Sequence, residues 1–152
     1  MSKFNSQCVV VTGGASGIGE ATVRSIISGG GRVVIADLQE DRGRALVSEL
    51  GSCAAFHFTD VTREDDIAGA IALAQKEFGP LSGMVNNAGV VGAIGSIMET
   101  SAEAFDQTMA ILSRAVFLGI KHAAKAMEPQ GRGAIVSLAS TCLLYTSDAA
   151  DE

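Results

Sequence analysis

The sequence predicts an α/β fold, a parallel sheet wound by helices on both faces. Two observations carry that expectation. Short apolar runs alternate with stretches whose apolar residues recur at helical spacing, the pattern of successive βαβ units. A glycine-rich turn, Thr12 to Gly19, stands directly after the first run and opens the first helix. With 152 residues, 47% of them hydrophobic, the chain is one domain's worth and can fill a core.

The elements follow in order. CVVVT (8–12) is the first strand, and a helix runs from about Gly17 to Ser28. RVVIAD (32–37) is the second strand, followed by a polar helix from about Gln39 to Leu50. CAAFHFT (53–59) is the third. Thr62 can cap the next helix, whose first turn carries Glu64, Asp65 and Asp66 near the positive end of its dipole. Ile67, Ala70, Ile71 and Ala74 repeat at helical spacing, and Gly79 and Pro80 stop the helix after Phe78. SGMVNNAG (82–89) is a fourth strand running into a loop. A long helix spans about Ala102 to Met127, with Thr100 to Glu103 in capping-box form at its start. Gly119 is a local cost inside it. Pro129 and Gly131 end it, and GAIVSLAS (133–140) is the fifth strand. Right-handed crossovers and a doubly wound course give the strand order 3-2-1-4-5. The fifth strand is then an exposed edge, a template for unwanted pairing.

The turn TGGASGIG carries the first chemistry. Glycines at 13, 17 and 19 let backbone N–H groups approach a pyrophosphate, and the helix N-terminus adds positive potential. Thr12, Gly13, Ser16, Gly17, Ile18 and Gly19 are the candidate cofactor-binding residues of this turn. Asp37 closes the second strand, where a carboxylate can accept hydrogen bonds from adenosine ribose hydroxyls and repel a 2′-phosphate. Leu38 follows it and supplies no compensating base. Arg32 and Arg42 lie farther along the strand and helix. The expected cofactor is therefore NAD rather than NADP, bound by a Rossmann-type sheet.

Glycines at the first, fifth and seventh positions of the turn differ from the commoner GxGxxG spacing. With that spacing the chain resembles the short-chain dehydrogenase/reductase family, classical type, and further motifs of that family fall in order over residues 1–141. The resemblance implies that Asp60 pairs with the adenine amino group and that the Val61 backbone lies beside the ring. It implies that Asn86 to Gly89 (NNAG) braces the sheet, with Asn87, Ala88 and Gly89 lining the nicotinamide side of the cleft. It makes Ser140 the catalytic serine, binding a substrate carbonyl or alcohol oxygen. Ser16 stands where NADP-preferring relatives tend to carry a base. The implied reaction is hydride transfer between NAD and a secondary alcohol or ketone, in a parent that forms homo-oligomers.

Two departures accompany the resemblance. The family's Tyr-x-x-x-Lys, whose Tyr is the general acid–base, is expected about a dozen residues after the serine. Tyr145 is the only tyrosine, stands five residues after Ser140, and no lysine follows Lys125; Tyr145 receives no role. Leu112 occupies the position of an asparagine that relays protons in the family. The alternative reading is a non-catalytic nucleotide-binding domain or an inert fragment.

Residues 142–152, CLLYTSDAADE, read back as codons resemble the reverse complement of a transposase-type sequencing adapter, so the expected organisation is an incomplete domain over 1–141, truncated after about the fifth strand, and an artefactual tail. Asp148, Asp151 and Glu152 of this tail contribute to the net charge of −6. A mildly acidic chain has no electrostatic footprint for nucleic acid. No apolar run reaches membrane-spanning length and no leader pattern opens the chain, so the expectation is a cytoplasmic protein without a membrane partner. Cys8 and Cys53 read as small apolar residues rather than disulfide partners. His57 and His122 lack a second histidine nearby, so no metal site is expected. Met98, Met109 and Met127 read as packing.

Overall fold

The structure is a computed structural model that describes residues 3–140. Five parallel strands form one sheet in the order β3-β2-β1-β4-β5. They are β1 (Cys8–Thr12), β2 (Arg32–Asp37), β3 (Ala54–Phe58), β4 (Leu81–Asn86) and β5 (Ala134–Ser137). The helices are α1 (Gly17–Ser28), α2 (Glu40–Leu50), α3 (Glu64–Phe78), α4 (Ala102–Met109) and α5 (Ala115–Met127). This is the doubly wound order expected from the alternating pattern.

β1 lies at the centre and every one of its residues is buried. Because side chains alternate across a strand, Val9 and Val11 join Val33 and Ile35 under α1 and α2. Cys8 and Val10 join Val34, Leu81 and Met84 under α3 and α5. Burial pushes the Cys8 thiol up to about 11, so it packs as an apolar residue. Cys53 is half-buried in a short 3-10 turn, Gly51–Cys53, that precedes β3 rather than beginning it.

Several boundaries move from their expected places. β4 ends at Asn86 and runs into the expected loop at Asn87 to Gly89, whereas β5 ends at Ser137, so Leu138 to Ser140 are loop, not strand. Thr62 does not cap α3: the N-cap is Arg63, and Thr62 donates its hydroxyl to Asp60 Oδ1 at 2.7 Å. The cap of α4 is Ser101, whose Oγ accepts the Ala104 amide at 3.1 Å, not Thr100. The long helix is not continuous, because a π turn over Ala110–Arg114 separates α4 from α5. Such turns concentrate at functional sites.

Gly119, expected to be a cost, has a packing reason. A Cβ there would collide with Asn86 Oδ1 and stand 3.1 Å from Met84 Cε. The bare backbone lets α5 press directly on the end of β4.

β5 forms the edge of the sheet. Val136 is 54% exposed and Leu138 39%, and residues 133–140 carry neither charge nor proline, the usual guards of an open edge. The chain is expected to self-associate as its concentration rises. Val136→Lys should shift it toward monomer, measured by gel filtration across a dilution series. Monomeric elution of the unaltered chain at every concentration would remove the edge as a liability.

Candidate functional site

The strand ends that matter meet at one edge of the sheet. In register, Thr12 lies beside Ala36, Asp37 beside Phe58 and Asn86 beside Ser137. The chain runs outward from β1 to β3, then crosses back to β4 on the other flank. Between the ends of β1 and β4 strand order reverses, and open α/β sheets hold their ligands at that crevice.

A cleft of about 450 Å³ opens there. Gly13, Ser16, Gly17 and Ile18 line it from the glycine turn, and Asp37 and Leu38 from the end of β2. Asp60 and Val61 line it beyond β3, and Asn87, Ala88 and Gly89 beyond β4. The structure thus brings together residues from four separate segments. Thr12 and Gly19 stand behind the wall. Ser140 is exposed beyond the end of β5 and is not part of the cleft lining.

Thr12 locks the two sides of the crevice. Its Oγ1 donates to the Val85 carbonyl (3.3 Å) and accepts the amides of Asn87 (3.0 Å) and Ala88 (3.1 Å). Asn87 Nδ2 donates in return to the Thr12 (2.9 Å) and Gly13 (3.1 Å) carbonyls. Asn86 Nδ2 donates to Ser137 Oγ at 3.1 Å, tying β4 to β5.

The glycines are demanded by conformation and contact. Gly13 has φ +63°, and a Cβ on it would lie 2.9 Å from both Ala88 Cα and Asn87 Nδ2. A Cβ on Gly19 would collide with the Gly13 carbonyl. Gly17, at φ +53°, faces open space with no atom within 4 Å of that position. The turn therefore presents bare backbone to the cleft just where α1 begins.

Asp37 is not a solvent-facing strand end; it is 6% exposed. Oδ2 accepts the Ala15 amide and Oδ1 the Gln39 amide, each at 2.9 Å. Asp60 Oδ1 accepts both the amide and the hydroxyl of Thr62, while the Asp60 amide donates to Asp66 Oδ2 at 2.9 Å. Beyond Ser16 lies an adjoining groove of about 340 Å³. There Arg24 is paired with Glu20 and Glu49, and Arg42, which the sequence left remote from the turn, shares the groove with Ala15, Ser16 and Gly17.

The sequence reading missed Gln39, Thr59, Val90 and Ile111, all of which line the cleft. Thr59 was legible as the end of the third strand and is buried, its Oγ1 donating to the His57 carbonyl at 3.0 Å. Ile111 was not, because the π turn presents it. Next to it, Leu112 Cδ2 lies 3.5 Å from where a Gly89 Cβ would stand, an apolar group against the NNAG loop. Among the described residues no group of three potential metal ligands occurs. No helix there is long and apolar enough to cross a membrane. Tyr145 lies outside the described residues.

A family profile described as short chain dehydrogenase matches residues 7–149. The chain belongs to the short-chain dehydrogenase family. Momilactone A synthase of Oryza sativa subsp. japonica is 44% identical over 140 residues, covering 91% of this chain and 51% of that protein. (+)-Borneol dehydrogenase 2 of Salvia officinalis is 44% identical over 134 residues, 86% and 47% of the two chains. Short-chain dehydrogenase reductase 4 of Arabidopsis thaliana is 41% identical over 139 residues, 90% and 47%. The chain spans about half the length of these curated relatives.

His122 has a structural role. Its Nε2 lies 2.8 Å from Glu64 Oε1, which also accepts Lys121 Nζ at 2.7 Å, pinning α5 to the start of α3. The hydrogen bonds from Lys121 and then His122 hold the Glu64 carboxyl below its ordinary value of 4.5. A depressed carboxylate contributes stability that is complete above its unfolded pKa and lost as pH falls through the folded one. Glu64→Gln should lower the melting temperature at pH 7, with the difference from the unaltered chain shrinking to nothing in acid below the folded pKa. A difference independent of pH would show that the contact is not ionic.

Proposed function

We propose that this chain carries the nucleotide half of an NAD-dependent oxidoreductase acting on a secondary alcohol or ketone. The observation that supports it most is the cleft at the strand-order reversal, lined by bare glycine backbone at one wall and by Asp37 and Asp60 at another. Bound NAD would supply hydride exchange at its nicotinamide. The chain's own residues bind and orient. Amides of the glycine turn and the α1 N-terminus would receive the pyrophosphate. Asp37, with lone pairs beyond those its two amides use, would accept ribose hydroxyls. Asp60 Oδ2, without a partner among the described residues, would face the adenine, and Asn87, Ala88 and Gly89 the nicotinamide. Ser140 would hold the substrate oxygen. Leu112 holds no proton, so any proton path in the parent runs elsewhere. By the same reading the parent is a cytoplasmic homo-oligomer acting on a small molecule, with neither nucleic acid nor membrane as partner.

A second reading, a nucleotide-binding domain without catalysis, is favoured by one fact: no Tyr-x-x-x-Lys pair occurs in the sequence. We also assign residues 142–152 to a translated adapter, although the family match runs into them, to residue 149. Reading the transcript past codon 141 from an independent library tests this, and recovery of the same eleven codons would end it.

Without a positioned acid–base the 152-residue chain is expected to give no turnover, since that assistance is typically worth a factor of about 10² to 10⁴. A panel of secondary alcohols with NAD, followed by NADH absorbance, measures it. Turnover that disappears in Tyr145→Phe would give Tyr145 the role denied it here.

Binding should favour NADH over NADPH by at least about tenfold, roughly 1.4 kcal/mol, because a 2′-phosphate would meet the Asp37 carboxylate. Arg42 in the adjoining groove is the base most able to soften this, and Asp37→Ala with Leu38→Arg should reverse it. Fluorescence titration with both nucleotides decides; equal affinities in the unaltered chain would dismiss Asp37 as the discriminator.

A further inference from the structure

Asp37 is the only buried Asp, Glu, Lys or Arg among the described residues. A buried carboxylate is costly unless its oxygens are satisfied. Here both are, by backbone amides on opposite sides. Oδ2 reaches across to the glycine turn and accepts Ala15 N–H at 2.9 Å. Oδ1 turns back and accepts Gln39 N–H at 2.9 Å. Gln39 Nε2 stands 3.4 Å from both Asp37 Oδ1 and Ser16 Oγ. One residue before Ala15's neighbour Gly14, the Gly13 amide donates to the Ala36 carbonyl at 2.8 Å. The turn is thus tied to the end of β2 at two amides, one by main chain and one by the Asp37 side chain.

We propose that Asp37 is a positioning residue, holding the glycine turn onto the end of β2 before any nucleotide enters. The consequence for binding rests on the nucleotide-cleft reading: the pyrophosphate cradle and the ribose acceptor are then set by one side chain. An entering nucleotide would meet a cradle whose ordering cost has already been met in folding.

The chemistry separates this role from ribose recognition. An ionised carboxylate only accepts, and both of its backbone neighbours only donate. Asparagine has one accepting oxygen and one donating NH₂. Whichever way it turns, the NH₂ faces an amide N–H and one bond is lost. Ribose hydroxyls donate and accept, so an asparagine could still serve them. Asp37→Asn therefore loses one of the two bonds, to Ala15 or to Gln39, while keeping a partner for ribose, and Asp37→Ala loses both.

The test is residue-resolved amide exchange on the nucleotide-free 152-residue chain at micromolar concentration, with NADH titrations in parallel. In Asp37→Ala the Ala15 amide should exchange roughly tenfold faster or more, the scale of a lost charge-assisted bond, and in Asp37→Asn whichever of the Ala15 and Gln39 amides faces the new NH₂ should do the same. The core amides of Val10 and Val34 should keep their rates. Unchanged Ala15 exchange in Asp37→Ala would overturn the proposal even if NADH binding weakened, leaving Asp37 a ribose acceptor alone. Faster Ala15 exchange in a chain that does not bind NADH would support the clamp and sink the nucleotide reading instead. If the variants exchange everywhere, unfolded, the unaltered chain decides. Its Ala15 and Gln39 amides should exchange as slowly as the ladder amides of β1 and β2, and exchange at the rate of an unprotected loop amide would overturn the clamp.

Discussion

The Thr12 hydroxyl is the point on which the site depends. Where strand order reverses, the chains leaving β1 and β4 diverge, and the amides that follow each strand lose their ladder partners. Such amides cannot be left buried and unpaired. A hydroxyl offers one proton and two lone pairs, and Thr12 uses all three, on Val85, Asn87 and Ala88. Asn87 answers with its own amide on two carbonyls of the glycine turn. Two loops more than seventy residues apart in sequence are thus held together at the crevice.

That knot explains why glycine recurs around it. The NNAG backbone comes so close to the turn that a Cβ on Gly13 would meet Ala88 and Asn87, and one on Gly19 would meet Gly13 itself. On the far side of β4, Asn86 reaches Ser137 with its nitrogen while its oxygen lies where a Gly119 Cβ would be. Each glycine removes the one atom that would push two backbones apart. Helix and strand propensity are secondary here, and Gly119 is tolerated in α5 because contact with the strand end outweighs its cost of about 1 kcal/mol in a helix.

The strand order and the facing of the helices were legible because they follow from periodicity, which a sequence displays openly. Cys8 to Thr12 reads as a strand and is one. What the periodicity could not show was where hydrogen bonding changes hands. The strand stops at Asn86 because the amides of Asn87 and Ala88 turn to the Thr12 hydroxyl rather than to a neighbouring strand. Thr62 looks like a cap, but Asp60, two residues earlier, captures both its amide and its hydroxyl, and α3 starts later. The π turn at Ala110–Arg114 leaves no pattern of its own in a helix already apolar on one face, so Ile111 escaped notice. Of the cleft, the glycine turn and Asp37 could be placed from spacing alone. Asp60, Val61 and NNAG needed the family resemblance, because nothing in a lone Asp or a pair of Asn marks a site.

Polarity changes along the cleft, and this bears on how the proposed dinucleotide would lie. At one end Asp37 and Asp60 present carboxylates, each with at least one oxygen already held by backbone amides. Such fixed acceptors suit hydroxyl and amino donors and reject phosphate. In the middle the glycine turn presents amides and the start of α1, with the opposite preference. At the other end Val90, Ile111 and the methyl groups of Leu112 border Gly89, where neither anion nor strong donor is served. A dinucleotide carries a ribose and a planar ring on each side of its pyrophosphate, so hydroxyls and ring faces alone do not tell its two directions apart. In the proposed reading the direction rests on Asp37 and Asp60, whose acceptors would take the adenosine half and leave the apolar end beside Gly89 to the reacting ring.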